Sequence, residues 1–304
     1  MNFGAGFFLP YEFSPTVLVL CVAAVVIYVR GLVRRRRAGI TTGWPRALAF
    51  FVGVVLMYAV LQTHFDFMAQ HMFFIQRLQH LALHHLGPFL IMLSAPGTVL
   101  AAGVPEPIRV RVLRPMARSP LLRWPYRVIQ QPVIAGVLFV GLIYVCLLPS
   151  AQFYAMLSVP LYKAMDWAMA VDGLFFWYLM FCSPRPAVGG LRYGWRILIL
   201  AATIPPQIVA GAYVALSGRD LYPIFASCGR LWPISATNDQ VLGGLITWIP
   251  AAMMCVAGGL VLLHHWTQEE AEEEPRPRTM PASVPQPVSV PEAVPEVNAH
   301  VEPI

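Results

Sequence analysis

HFDFMAQHMFFIQRLQHLALHHLGPFLIMLSAP, residues 64–96, carries five of the chain's eight histidines: His64, His71, His80, His84 and His85. Asp66, Gln70, Gln76, Arg77 and Gln79 lie among them, and the flanks are strongly apolar. Polar groups in or beside a membrane segment are costly, so they face a partner or a cavity. The rest of the chain reads as membrane helices gathered around this stretch.

The composition sets the class. Of 304 residues, 58% are hydrophobic and only 12% charged, against about 25% charged in a typical soluble protein. Seven apolar runs reach the roughly 20 residues that a bilayer crossing needs. They are continuous rather than alternating, which predicts helices and not barrel strands. The expected fold is an all-α polytopic membrane bundle of about seven transmembrane helices. The spans are read at about Pro15–Val33, Arg46–Leu61, Phe65 to Pro96 or Val104, Pro132–Leu148, Lys163–Cys182, Ile197–Leu216 and Val241–Leu263.

Charge orients the spans. The first is followed, not preceded, by Arg34–Arg37, which marks an anchor rather than a cleavable signal. All but four of the 21 Lys and Arg fall in or beside the presumptive inner loops and tail. The exceptions are Arg77, Lys163, Arg219 and Arg230. This bias predicts an N-out, C-in topology. It also accounts for the net charge of +6 without a nucleic-acid partner. Residues 1–266 form the expected membrane domain. Residues 267–304 begin with Glu269, Glu270, Glu272, Glu273 and Glu274 and then turn Pro- and Val-rich, the composition of a disordered cytoplasmic tail. Five scattered cysteines without a CxxC make no disulfide framework and read as small apolar fillers.

On a straight helix, Gln76, His80 and His84 share one face with Arg77 beside them. His64, His71, Met68 and Ile75 fall nearly opposite, with His85 nearer the second group. His71 and His80 are about 13 Å apart along the axis, too far to share an ion. Two groups of candidate metal ligands follow. His80 and His84 form an i, i+4 pair able to grip one metal. His71, Met68 and Met72, with His64, make a soft outer group suited to Cu(I), and His85 is a further candidate ligand. The bland reading is that each histidine hydrogen-bonds across helices and does no chemistry. Met165, Met169, Met253 and Met254 read as packing.

In the fifth span, Lys163 and Asp166 are placed to pair at i, i+3. Asp166 and Asp172 do not share a face, and the deeper Asp172 is expected to meet Arg77 or a histidine, or to carry a proton. Asp66 joins these as a charge or proton partner. At the seventh span, Asn238, Asp239 and Gln240 read as a cap of its start. No HExxH, GxSxG, Walker loop or dinucleotide fingerprint occurs, so the chain does not read as an enzyme.

Three stretches together carry a resemblance. Gln76-Arg77-Leu78-Gln79-His80-Leu81, followed by Pro88 and Ala95-Pro96, is similar to the third-span pattern H-M-x-x-H-M-L-L of the polytopic CtaG-type cytochrome c oxidase assembly factors. Gln76 stands where the first family histidine is common, and His80 matches the second. Gly173-Leu174-Phe175-Phe176-Trp177 resembles that family's G-L-L-F-W, with Lys163, Asp166 and Asp172 upstream where histidines and a glutamate are usual. Leu221-Tyr222-Pro223, Trp232, Asp239-Gln240, Gly243-Gly244 and Trp248 resemble its last outer loop. The matches cover about residues 60–265. The resemblance implies a multi-pass protein of the bacterial inner membrane that works with cytochrome c oxidase subunits and membrane lipid. It implies a part in supplying or inserting copper, Cu(I), at the outer face. A haem-binding electron carrier and a proton-coupled transporter are the rival readings.

Overall fold

The computed structural model describes residues 10–182 and 190–273. Arg185, which the sequence places in an inner loop, and residues 274–304 of the expected tail lie outside the described residues, while residues 267–273, read from the sequence as the start of that disordered tail, are helical. Two units divide the chain, Met1–Trp266 and Thr267–Ile304.

Helices dominate the described residues, with one isolated β-bridge between Pro10 and Thr63. Helices α1 (Pro15–Arg37) and α2 (Trp44–Gln62) come first, and α3 (His64–His71) follows. Next, α4 (Phe73–Leu81), a π turn (Ala82–Leu86) and α5 (Gly87–Leu93) make one run, and α6 is Gly97–Gly103. A connecting segment holds α7 (Glu106–Ile108), a second π turn (Arg109–Leu113), α8 (Arg114–Arg118) and α9 (Pro120–Ile129). Then come α10 (Pro132–Leu147), α11 (Pro149–Leu157), α12 (Val159–Phe181), α13 (Tyr193–Leu216), α14 (Ile224–Cys228) and α15 (Ala236–Glu273).

Helices cover each expected span, although the third is broken and α15 runs past its expected end. By length and apolarity four helices suffice to cross a bilayer: α1, α2, α13 and α15. The number rises to six if each of two bent pairs is one span. These pairs are Phe73–Leu93 with Gly97–Gly103, bent by 74°, and Pro120–Ile129 with Pro132–Leu147, bent by 75°. By length and apolarity alone the described residues thus hold four to six candidate spans, against the seven expected. The shortfall lies in α12, long enough at 23 residues but lowered in apolarity by Lys163, Asp166 and Asp172.

The expected third span is also more broken than its sequence suggests. Met72 adopts an extended conformation (φ −135°, ψ 123°) that separates α3 from α4. At the other end Ala95 takes φ 50°, in the left-handed region, and Pro96 lacks the N–H that would continue the helix. The chain turns sharply there and sends α6 against α1. A Cβ on Gly31 would run into the Val99 carbonyl, and one on Gly103 into the Ile27 carbonyl. These two glycines let the α1 and α6 backbones touch, the small-residue route to helix association in lipid.

The core is aromatic. Phe139 of α10 stacks on Phe176 of α12 at 3.8 Å, beside fully buried Trp177 and Met180. Tyr28 stacks on Phe50 at 3.8 Å, fastening α1 to α2. Arg196, which the sequence marks only as a loop charge, is 2% exposed. Its guanidinium donates to the carbonyls of Met180 and Leu191, so it satisfies the end of α12 as a C-terminal cation should. Cys146 and Cys255 are buried, as expected of apolar fillers.

Candidate functional site

Near the start of the histidine stretch, α3 builds a polar knot. Asp66 is buried and accepts from Gln79 Nε2 (2.8 Å), Gln70 Nε2 (3.1 Å) and Tyr162 Oη (3.1 Å). Burial pushes its carboxyl above the ordinary value, while the three hydrogen bonds pull it back. His71 donates Nδ1–H to the Phe67 carbonyl at 2.7 Å. His64 lies beside the Tyr11 ring at 5.9 Å. Met68 and Met72 are packed among Phe65, Phe67, Phe74 and Trp232. The soft outer group is thus committed to local backbone and apolar packing.

The inner group is different. His80, His84 and His85, with Arg77 and Met169, line one small cavity of about 30 Å³, room for about two water molecules. All three histidines are at most 4% exposed. A uniform α-helix would aim His85 away from His80 and His84. The π turn at Ala82–Leu86 fits an extra residue into the turn, which delays the rotation and brings His85 to the same wall. The two-face division expected from the sequence is corrected accordingly. Met169, read from the sequence as packing, also faces the cavity.

Two carboxylates on α12 meet this wall. His84 Nε2 lies 2.9 Å from Asp172 Oδ2. His80 Nε2 lies 3.2 Å from Asp166 Oδ1, within ion-pair reach but outside hydrogen-bond geometry, since neither atom has a partner by that stricter measure. The sequence assigned Asp166 to Lys163. The structure instead pairs Lys163 with Glu12 at 2.8 Å, nearer the surface. Asp166 and Asp172 leave α12 in different directions, yet both reach the histidine helix because α12 crosses it closely at Gly173. A Cβ on Gly173 would run into the His84 carbonyl.

Arg77 does not meet Asp172, as the sequence had allowed. It donates to the Cys146 carbonyl (3.3 Å), Gln76 Oε1 (2.9 Å) and Gln152 Oε1 (3.4 Å). Gln152 Nε2 closes the triangle on Gln76 Oε1 at 2.6 Å. His85 Nε2 lies 3.2 Å from Gln207 Oε1. The sequence missed Gln152, Gln207 and Tyr162 as partners, because isolated polar residues in apolar helices do not reveal which neighbour they face.

The chemistry follows from the tautomers. In the tautomer that donates Nε2–H to the Asp172 carboxylate, the lone pair of His84 lies on Nδ1. That Nδ1 and both ring nitrogens of His80 have no hydrogen-bond partner among the described residues. Histidines that present one nitrogen to a metal usually hold the other on a carboxylate, and the His84–Asp172 contact has that form. Among the described residues, no group of three His, Cys, Asp or Glu is already gathered around a point.

The segment leading from α13 into α15 fixes where the histidine helix begins. Asp239 was expected to cap its own helix. It is fully buried and instead accepts from the backbone N–H groups of Phe73 (3.1 Å) and Phe74 (2.9 Å). It is therefore the N-terminal cap of α4, whose preceding residue Met72 supplies none. Gln240 ties the loop by accepting from Leu221 N and donating to the carbonyls of Val214 and Arg219. Tyr222 stacks on Phe73 at 4.1 Å and donates to the Leu147 carbonyl at 2.7 Å. Tyr222→Phe is expected to cost about 1 kcal/mol, one neutral hydrogen bond. Tyr222→Ala is expected to cost about 3 kcal/mol because the ring leaves a void. Thermal unfolding in detergent checks both, and equal losses would mean that the ring contributes nothing.

A helical membrane bundle with a polar, histidine-lined interior and a latch on its histidine helix is the class that fold and site define. The chain belongs to the cytochrome c oxidase caa3 assembly factor family, whose profile matches residues 26–269, as the three stretches had implied. An uncharacterized protein of Mycobacterium leprae (strain TN) is 24% identical over 284 residues, covering 87% of this chain and 40% of that protein. The chain thus spans about two-fifths of that curated relative's length. No solved structure matches.

Proposed function

We propose that this chain assists assembly of a haem–copper cytochrome c oxidase by holding Cu(I) as cargo between His80 and His84 and releasing it to an oxidase subunit. The observation that carries this is the buried, unpartnered Nδ1 of His84, whose ring is held through Nε2 by Asp172. His80 supplies the second imidazole, and Met169 on the same wall is the thioether that suits Cu(I). Asp166 and Asp172 offset the charge of the ion, and Arg77 turns its guanidinium toward Cys146 and Gln152. The role is delivery rather than catalysis. A haem fits less well, because His80, His84 and His85 stand on one helical run rather than on facing helices.

The same reading places the chain in the bacterial inner membrane with seven spans, N-terminus out. At 23 residues α12 is about 34 Å long, enough to cross a hydrocarbon core of about 30 Å. The cluster of arginines between α6 and α10 marks the inner side.

The test is Cu(I) binding to the detergent-purified chain, under reducing conditions, against a competing chelator. Wild type is expected to bind one equivalent. His80→Ala and His84→Ala should each weaken it at least tenfold, while His71→Ala should leave it unchanged. Equal binding by all four proteins would overturn the copper assignment. Separately, a strain lacking the protein should lose oxidase activity and oxidase copper; normal oxidase in that strain would overturn the assembly role.

A further inference from the structure

The segment from α7 to α9 lies away from the histidine cavity and carries six arginines (Arg109, Arg111, Arg114, Arg118, Arg123 and Arg127) against one carboxylate, Glu106. Glu106 pairs with Arg109. All six arginines are exposed. Within α9, Leu121 and Trp124 are 82% and 72% exposed. Together with Val128 they occupy i, i+3 and i+7, one stripe of the helix, while Arg123 and Arg127 at i, i+4 occupy another.

The axis of α9 is turned 75° from that of α10. Gln130 Nε2 donates to the Phe175 carbonyl at 3.1 Å, and the Tyr126 ring meets the Phe175 ring edge-on. These contacts hold α9 against α12. At 16 residues, α10 is about 24 Å long, short of the roughly 30 Å hydrocarbon core. A helix lying across its end therefore sits at the level of the lipid headgroups rather than in open water.

We propose that α9, with the arginines of the preceding turns, is an interfacial platform that binds anionic glycerophospholipid. Leu121, Trp124 and Val128 enter the acyl boundary, and Arg123 and Arg127 grip headgroup phosphates. A Trp at the headgroup level and arginines on the polar face are what such helices need, and guanidinium binds phosphate through paired N–H groups. The apolar stripe selects a lipid over free phosphate, and the excess of arginines over carboxylates selects an anionic headgroup over a zwitterionic one.

The test is native mass spectrometry of the full chain released from micelles containing equal phosphatidylglycerol and phosphatidylcholine. Wild type is expected to retain phosphatidylglycerol at least fivefold over phosphatidylcholine, and millimolar inorganic phosphate should not displace it. Arg123→Gln/Arg127→Gln should remove that preference with no change in melting temperature. In nanodiscs, brominated phosphatidylglycerol should quench tryptophan emission, and Trp124→Phe should lower the quenched share. Equal retention of the two lipids overturns the proposal, as does displacement by phosphate, which would mean a headgroup-only anion site. Unchanged quenching in Trp124→Phe overturns the interfacial placement of α9.

Discussion

Asp239→Ala is expected to destabilise the protein by about 3 kcal/mol, the scale for losing hydrogen bonds to a buried charged acceptor. The carboxylate is fully buried and receives the first two N–H groups of the histidine helix from a point 165 residues away in sequence. Without it, those donors have no side-chain acceptor, and Arg230, whose Nε lies 3.5 Å from Asp239 Oδ2, loses its counter-charge. The positive end of the α4 dipole also loses its anion. For a domain of this size the loss corresponds to a melting temperature roughly 8 °C lower. Asp239→Asn keeps one acceptor oxygen and should lose about half as much. Melting in detergent checks the order. A drop of only one or two degrees in the alanine variant would mean that stacking of Phe73 on Tyr222 holds the helix start unaided.

Gly173→Leu should prevent recovery of folded protein, and Gly173→Ala should cost about 2 kcal/mol, the usual scale of overpacking. The reason is the close approach of α12 to the backbone of His84, where any Cβ meets the carbonyl. The position lies next to Asp172 in sequence, so pushing α12 outward lengthens the 2.9 Å contact of His84 with Asp172 and the 3.2 Å contact of His80 with Asp166 together. Gly173→Ala is therefore also expected to weaken Cu(I) binding, although it removes no donor atom. Size-exclusion profiles and melting report the packing, and the chelator competition reports the site. A Gly173→Leu protein that is monodisperse and melts like wild type would show that the two helices can slide apart without loss.

Both predictions rest on contacts that no local pattern announces. The glycine was visible only as part of a G-L-F-F-W string, and Asp239 only as a residue near the start of a helix. Their roles depend on which distant segment lies opposite. The same holds for Lys163, whose nearest carboxylate by helical spacing is Asp166 but whose partner is Glu12.

The sequence by itself determined the class of the protein, because hydrophobicity and charge are properties of each segment alone. Apolar runs of span length must be helices, and helices cover each of those runs, although α15 extends to Glu273, well past its expected end at Leu263. It also singled out His80, His84, Asp166 and Asp172, since polar residues in apolar helices stand out one by one. Only the tertiary structure decided how they combine. The π turn at Ala82–Leu86 shifts the helical phase so that His85 joins His80 and His84. The bend at Ala95 and Pro96 divides the long third segment, and the crossing at Gly173 brings two aspartates onto two histidines. Helical periodicity assumes a uniform rotation per residue, and these local departures from it, together with the choice of neighbouring helix, are set by packing across the whole bundle.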